Sequence, residues 1–209
     1  MHTQIISLLF LLVFFSTANT NMIKTKFEQE EIIPDVIDKS PDKKLIITYS
    51  GGEEVNLGEE LTPTQVKDPP TIKFEPEQDV YYTLAMVDPD APSRDNHTFR
   101  EVNHWLIGNI LNGNFENADT ITEYLGSGPP KGTGLHRYIF LLFKQKEKFT
   151  FDEPRTEKLS RSHRLNFNLR KFIKKYDLGE AIAGNFYKAQ WDSYVDERNK
   201  IINSLVEKQ

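Results

Sequence analysis

The chain has 209 residues, no cysteine, and 26 Lys and Arg against 31 Asp and Glu, which gives a formal charge of −5. The absence of cysteine excludes a thiol nucleophile, a Cys-ligated metal centre and a disulfide scaffold. An acidic balance without a long basic run argues against nucleic-acid binding. The length predicts a single domain that buries a sufficient core.

The first predicted element is a secretory signal. Residues 5–15 are almost continuously apolar, and small and polar residues follow at 16–20. This run is too short for a transmembrane helix, which needs about 20 residues, but it fits the apolar core of a signal peptide. We expect residues 1–20 to be removed, which leaves residues 21–209 as one secreted domain with no transmembrane segment. An uncleaved membrane anchor is the alternative, because the N-terminus has no Lys or Arg. In a secreted chain, Asn96 is a glycosylation candidate.

Strand patterns occupy the middle of the predicted domain. An acidic amphipathic segment at residues 22–38, in which a short helix can begin at Pro34, precedes them. Short runs rich in β-branched and aromatic residues, bounded by glycines and prolines, predict strands. These runs are residues 45–49, 71–74, 80–87, 101–110 and 137–143, with two edge pieces at 55–57 and 61–66.

The last third of the chain predicts helices. Apolar residues recur at helical spacing from Leu165 to Tyr176, before Gly179, and again within residues 189–207. We assign both apolar stripes to packing. Strands followed by peripheral helices predict a β-rich α+β domain.

Three polar segments interrupt the core pattern. Asp88 begins a loop with two prolines, whose rings fix the backbone and hold a carboxylate in a set direction. His104 lies inside an apolar strand. A glycine-rich loop at residues 126–134 precedes His136 and Tyr138, and their spacing turns both side chains to one face of a strand. Each segment alone also fits an ordinary turn or a structural histidine.

Together these residues predict a small polar pocket for an anion. Imidazolium and backbone N–H groups attract anions, and a carboxylate can orient a histidine or hold an ammonium group. If the histidines carry the charge, anion affinity strengthens below about pH 6.

Other chemistries have weaker support in the sequence. The histidine spacing matches no recognised metal pattern, so we expect no metal and no cofactor. The glycine loop does not open a helix as a nucleotide-binding loop does, and Ser127 is not in a nucleophile elbow. Acid–base hydrolysis by Asp88, His104 and His136 stays an open alternative.

The same segments resemble the phosphatidylethanolamine-binding protein family. The similarity rests on residues 88–92, 100–105 and 126–138, and it extends to residues 61–66 and 191–195. With its signal, the chain is similar to the secreted invertebrate members, which have been proposed as odorant carriers or secreted antigens. The resemblance implies a central antiparallel sheet packed on a smaller sheet, with helices at the periphery.

The resemblance also implies a site and a partner. The implied ligand-binding residues are Asp88, His104, Gly128, Pro129, Pro130, His136 and Tyr138, with Ala91 and Pro92 at the rim. The implied ligand is a phospholipid head group, such as that of phosphatidylethanolamine, or another small anionic or hydrophobic molecule. We expect a non-enzymatic monomer to bind it.

The resemblance leaves an alternative function and two departures from the family pattern. Some relatives inhibit proteases or a kinase, so an extracellular protease inhibitor or signalling modulator is the alternative. Val102 stands where an aromatic rim residue is usual, and Asn199 where a tyrosine of the C-terminal helix is usual.

Overall fold

A computed structural model describes residues 20–206, so the predicted signal lies outside the described residues apart from Thr20. Within this range the chain forms strands, grouped into two sheets, and helices. The strands are β1 (Lys43–Lys44), β2 (Ile46–Thr48), β3 (Thr71–Lys73), β4 (Tyr81–Asp88), β5 (Val102–Leu111), β6 (Asp119–Thr122), β7 (His136–Lys144) and β8 (Ala181–Ala189). The helices are α1 (residues 20–29), α2 (Ile32–Asp35), α3 (Leu169–Lys175) and α4 (Ser193–Val206).

The large sheet has the strand order β1-β8-β7-β4-β5-β6, and β2 pairs with β3 in the small sheet. Strands β8 to β6 pair antiparallel, as expected, whereas β1 runs parallel to β8. The large sheet is therefore mixed at one edge. The predicted architecture, a large sheet with a smaller sheet and peripheral helices, is confirmed.

Successive side chains of a strand point to opposite faces of the sheet. Because the central strands are almost continuously apolar, both faces of the large sheet are apolar. One face packs against the helices through Val87, Ile139 and Leu141 of the sheet, Phe27 of α1, and Leu169 and Phe172 of α3. The other face packs against the small sheet through Met86, Trp105, Tyr138 and Phe140 of the large sheet and Ile47 and Ile72 of the small one. Each fully buried large side chain contributes roughly 1.5–3 kcal/mol to folding.

Several predicted elements differ from the structure. The edge pieces at 55–57 and 61–66 are not strands; single bridges form instead between Thr48 and Glu54 and between Glu60 and Lys188. Residues 63–66 form a turn, because proline has no N–H group to donate to a strand ladder. Strands β1, β6 and β8 were not predicted, since none of them shows a clear apolar or alternating pattern.

The helices also differ at their boundaries. Helix α2 begins two residues before Pro34. Helix α3 begins only at Leu169, because the Asn168 side chain accepts a hydrogen bond from the Lys171 N–H group and caps its first turn. Leu165 therefore lies outside that helix and is exposed. On α4, Ile201 and Leu205 are also exposed, so the buried stripe is narrower than the sequence predicts.

Candidate functional site

Four predicted site residues meet at the ends of three adjacent strands. Asp88 ends β4, His136 and Tyr138 lie at the start of β7, and His104 lies near the start of β5. His136 Nδ1 is 3.0 Å from Asp88 Oδ2, and the rings of His104 and Tyr138 meet edge to face with their centroids 5.1 Å apart. The exposed fractions of the four side chains lie between 1% and 5%. We call this group the pocket cluster.

His104 occupies a β-bulge. Met86 of β4 pairs with Trp105, but the next residue, Val87, pairs with Asn103, so His104 is the additional residue on β5. A bulge locally redirects a side chain. This explains how His104 reaches the Tyr138 ring although Trp105, its direct neighbour, packs in the same apolar face.

The His104 imidazole is neutral at physiological pH. Its Nδ1 lies 2.7 Å from the Leu125 carbonyl oxygen and donates to it, which leaves Nε2 as an acceptor with no partner among residues 20–206. Burial lowers the pKa of His104 to about 4, even though the Asp88 carboxylate favours its charged form. The expectation that both histidines become cationic near pH 6 is therefore wrong for His104.

The His136 imidazole is held at both ring nitrogens. Asp88 Oδ2 faces its Nδ1, while Asp88 Oδ1 accepts a hydrogen bond from the Asp90 N–H group at 2.7 Å. The Thr133 hydroxyl lies 2.9 Å from His136 Nε2 and also donates to the Pro130 carbonyl at 2.8 Å. Asp88, His136 and Thr133 thus have the connectivity of an orienting acid, a base and a hydroxyl.

The glycine-rich loop lies against this cluster. The Gly128 N–H group donates to the Tyr138 hydroxyl at 3.2 Å, which leaves the phenolic hydrogen available to a ligand. Pro129 is buried and Pro130 is exposed. Ala91, 8% exposed, and the half-buried Pro92 follow Asp88 along the chain, at the edge of the site.

A second polar cluster lies behind the first. Arg137, the neighbour of His136, is 1% exposed, and its guanidinium binds both carboxylate oxygens of Asp90 at 2.8 and 2.6 Å. Arg100 binds Asp35 with two hydrogen bonds of 2.6 and 2.8 Å, and Arg137 also reaches Asp35 at 2.9 Å. Burial alone would raise the pKa of Asp35, but the hydrogen bonds from the two arginines bring it below its usual value. We call Asp35, Asp90, Arg100 and Arg137 the rear cluster.

The comparison with known proteins agrees with this geometry. The sequence profile named Phosphatidylethanolamine-binding protein matches residues 51–191, which is more than half of the chain. The chain belongs to the phosphatidylethanolamine-binding protein family.

Within residues 20–206, no cluster of three or more His, Asp or Glu side chains is arranged to hold a metal ion. Nor does any helix of this range have both the length and the apolar character that a bilayer span requires.

Relatives cover nearly all of the chain. A Drosophila melanogaster protein named "Putative odorant-binding protein A5" is 33% identical over 192 residues, which cover 92% of this chain and 91% of that protein. The solution structure of the protein CG7054 is 47% identical, with a TM-score of 0.66, and the match covers 82% of this chain and 98% of that one. A carboxypeptidase Y inhibitor, solved in complex with its cognate proteinase, is 27% identical, with a TM-score of 0.71 and coverage of 83% and 97%.

One residue next to the pocket was not predicted. Arg198 of α4 is 7% exposed, and its Nη1 donates to the carbonyl oxygens of Gly126 and Ser127 at 2.7 and 3.1 Å. A Cβ atom at position 128 would lie 1.7 Å from Arg198 Nη2, so the guanidinium occupies the space that glycine leaves free. The sequence contains a sign of this: Arg198 continues the buried stripe of Val195 and Ile202, where a charged residue is unexpected.

The two departures from the family pattern lie at the edge of the pocket cluster, because Val102 pairs with Asp88 in the sheet and Asn199 contacts Arg198. Val102 is half-buried at the first position of β5. Asn199 is half-buried on α4, and its side-chain oxygen accepts hydrogen bonds from Arg161 at 3.3 Å and from Arg198 at 3.4 Å. In this member of the phosphatidylethanolamine-binding protein family, the α4 residue that reaches the glycine-rich loop is an arginine.

Proposed function

We propose that the protein is a secreted, monomeric, non-enzymatic carrier that binds phospholipid head groups or other small phosphorylated ligands at the pocket cluster. The observation that supports this most is the convergence of Asp88, His104, His136 and Tyr138 at the ends of adjacent strands. The rear cluster pairs its own charges, so it needs none of these four side chains as a counter-charge.

The pocket offers groups for both ends of a zwitterion. His104 Nε2 is an open acceptor and Asp88 is an anion, and both suit an ammonium group. The Tyr138 hydroxyl is an available donor for a phosphate oxygen. Because these side chains are at most 5% exposed, we expect the loop at 126–134 or helix α4 to move when a ligand enters.

The direct test is calorimetry with two probes: O-phosphorylethanolamine, which is water-soluble, and dihexanoyl phosphatidylethanolamine, which carries the same head group on a lipid. We expect saturable binding by the wild type and an affinity loss of about tenfold or more in His136→Ala. His97→Ala is the matched control, because His97 is exposed and lies in a loop outside the pocket cluster. No saturable binding of either probe, or equal binding by wild type and His136→Ala, would contradict the proposal.

Catalysis has a separate test, because Asp88, His136 and Thr133 are connected as an acid, a base and a hydroxyl. The Thr133 hydroxyl already donates to the Pro130 carbonyl oxygen, so it is not aligned to transfer its proton to His136. We expect hydrolysis of p-nitrophenyl acetate to be the same for wild type and His136→Ala. Wild-type hydrolysis that is lost in His136→Ala would favour an enzyme.

A second candidate function is protease inhibition, which the likeness to the carboxypeptidase Y inhibitor favours. The test is inhibition of carboxypeptidase Y by the wild type and by His136→Ala. Equal inhibition by both proteins would show that an exterior surface, rather than the pocket, contacts the protease. No inhibition by either protein would contradict this second candidate and leave the carrier function as the remaining proposal.

Secretion is supported by the apolar run at residues 5–15 and by the odorant-binding name of the Drosophila relative. Asn96 is exposed, as a glycosylated residue must be. Expression of the full chain in insect cells tests both points. We expect a product in the medium that begins near residues 19–21, and a glycosidase-sensitive mass that Asn96→Gln abolishes. Retention of the intact chain in membranes would favour the anchor.

A further inference from the structure

Arg198 is a buried cation without an anionic partner. Its side chain is 7% exposed, and among residues 20–206 no Asp or Glu forms an ion pair with it. The hydrogen bonds of Nη1 go to backbone carbonyls. Burying a charge is costly unless it is paired, so this arrangement needs an explanation.

Two other buried arginines of this chain have hydrogen-bond partners for their guanidinium groups. Arg137 is neutralised by the carboxylates of Asp90 and Asp35. Arg164 has no carboxylate partner either, but its Nε, Nη1 and Nη2 all donate to backbone carbonyls, six in total. Arg198 differs from both, because its Nε is buried and has no hydrogen-bond partner within the described chain.

The unused donors of Arg198 lie on one edge of its guanidinium. Nε and Nη2 form the fork that binds two oxygens of a phosphate or carboxylate side by side. Nε has no partner, and the hydrogen bond of Nη2 is a long one of 3.4 Å to Asn199. This edge is therefore buried and has donor capacity that no described residue fully uses, which an oxyanion would satisfy.

The guanidinium also lies beside the pocket cluster. It fills the space above Gly128, whose N–H group donates to the Tyr138 hydroxyl. Burial lowers the pKa of His104, and the charge of Arg198 adds to that effect; burial raises the pKa of Tyr138 well above its usual value, and the charge of Arg198 partly opposes that rise. An anion that enters next to these two rings meets the open edge of Arg198.

We propose that Arg198 is the cationic residue that binds the ligand in this pocket, and that the ligand is a phosphate ester held by the Nε and Nη2 fork. This inference rests on the proposed carrier function. It places the positive charge that contacts the ligand on helix α4 rather than on His104. Nη1 donates to the Gly126 and Ser127 carbonyls, so the same side chain ties α4 to the glycine-rich loop.

The experiment compares variants by calorimetry with O-phosphorylethanolamine and dihexanoyl phosphatidylethanolamine. Arg198→Met removes the charge and keeps most of the length of the side chain. We expect it to weaken binding by about 10-fold to 100-fold. Arg198→Lys restores a point charge without the fork, and we expect an intermediate loss. Arg161→Met is the matched control, because Arg161 is exposed and contacts the same Asn199; we expect a change below about threefold.

Thermal unfolding of the same variants separates binding from structure. Arg198→Met removes an unpaired buried charge, which favours folding, but it also leaves the Gly126 and Ser127 carbonyls without the Nη1 donor. Because these effects oppose each other, we expect its unfolding temperature without ligand to differ little from that of the wild type. A variant that keeps its stability and loses affinity supports the proposal. If Arg198→Met does not fold, a folded Arg198→Lys with wild-type affinity would overturn the role of the fork, and a weakened one would support it.

The outcomes distinguish this inference from the carrier function itself. If the wild type binds neither probe, both proposals fail. If His136→Ala loses affinity but Arg198→Met stays within threefold of the wild type, only the role of Arg198 is wrong. A tenfold loss for O-phosphorylethanolamine with wild-type binding of the lipid identifies a free phosphate monoester as the ligand that Arg198 binds. Equal losses for both probes identify the head group that they share.

Discussion

The pocket cluster and the rear cluster are built from neighbouring residues but have opposite character. Asp88 and Asp90 are two residues apart in the chain. Their partners, His136 and Arg137, are adjacent on β7. In the rear cluster every charge meets an opposite charge, whereas the pocket contains a neutral histidine with an open acceptor and, nearby, an arginine with an open fork. The loop that begins at Asp88 thus contributes Asp90 to a set of paired charges and Asp88 to a group with unused hydrogen-bonding atoms. We expect the largest losses of stability from substitutions in the rear cluster, and we expect substitutions in the pocket to change binding as well as, to a smaller extent, stability.

The largest effect is expected in the rear cluster. Asp90→Ala leaves the buried Arg137 with only part of its compensation, and removal of one partner from a buried pair typically costs about 3–5 kcal/mol. Urea unfolding measures this loss. Asp95→Ala, at an exposed aspartate of the same loop region, is the control and should change stability by less than about 0.5 kcal/mol. A loss below 1 kcal/mol in Asp90→Ala would show that the rear cluster does not stabilise the fold.

The next effect is a pH dependence that comes from His104. Its pKa in the folded state, about 4, lies below the ordinary value of 6.5, so the folded protein disfavours the charged form. The stability that depends on neutral His104 is fully present above pH 6.5 and is lost as the pH falls towards 4, up to about 3 kcal/mol.

The difference in unfolding free energy between wild type and His104→Gln, followed from pH 7.5 to 4, isolates this contribution. We expect the difference to change by more than 1 kcal/mol, with the wild type losing more stability than the variant on acidification. Identical pH profiles would contradict a buried neutral imidazole. Carboxylates also titrate in this range; one is Glu101, whose pKa burial raises to about 7. They titrate in both proteins, so their contributions to the unfolding free energy cancel in the difference.

A smaller effect is expected where the loop meets helix α4. In Gly128→Ala the new methyl group takes the space of the Arg198 guanidinium, and overpacking of this kind costs about 1–3 kcal/mol. The double variant Gly128→Ala with Arg198→Ala should recover most of that loss, because the clash disappears. If the stability losses of the two single variants add in the double variant, the clash of the new methyl group is not with Arg198.

The smallest effect concerns the hydroxyl beside His136. Thr133→Val removes one hydrogen bond to His136 and one to the Pro130 carbonyl, and we expect a loss of about 1 kcal/mol in unfolding free energy. Thr133→Ser keeps the hydroxyl and should behave like the wild type. No loss in Thr133→Val, or an equal loss in Thr133→Ser, which keeps the hydroxyl, would contradict a stabilising role of these hydrogen bonds.

Patterns that depend on neighbouring residues predicted the adjacent strands β7, β4 and β5 of the large sheet and both strands of the small sheet. Strands β4 and β7 are continuous apolar runs, and the two-residue spacing of His136 and Tyr138 fixed their common face. Strand β8 was missed because Gly184, Asn185 and Lys188 interrupt its pattern. The structure explains Asn185, whose side chain bonds the Leu45 and Val55 carbonyls of chain segments far away in sequence.

Two features of the pocket depend on long-range geometry and could not be predicted from local pattern. The bulge that turns His104 towards Tyr138 exists only in the pairing of β4 with β5. The contact of Arg198 with the glycine-rich loop requires α4 to lie against residues about seventy positions earlier in the chain. Both belong to tertiary packing, which one-dimensional periodicity does not encode.

The most direct test of the division between the two clusters is a crystal structure of the protein with O-phosphorylethanolamine. We predict that the phosphate lies within hydrogen-bonding distance of Arg198 Nε and Nη2 and next to His104 and Tyr138, while the rear cluster keeps its ion pairs. A phosphate bound at another surface, with Arg198 Nε still unpartnered, would contradict the proposal that this pocket binds phosphate esters.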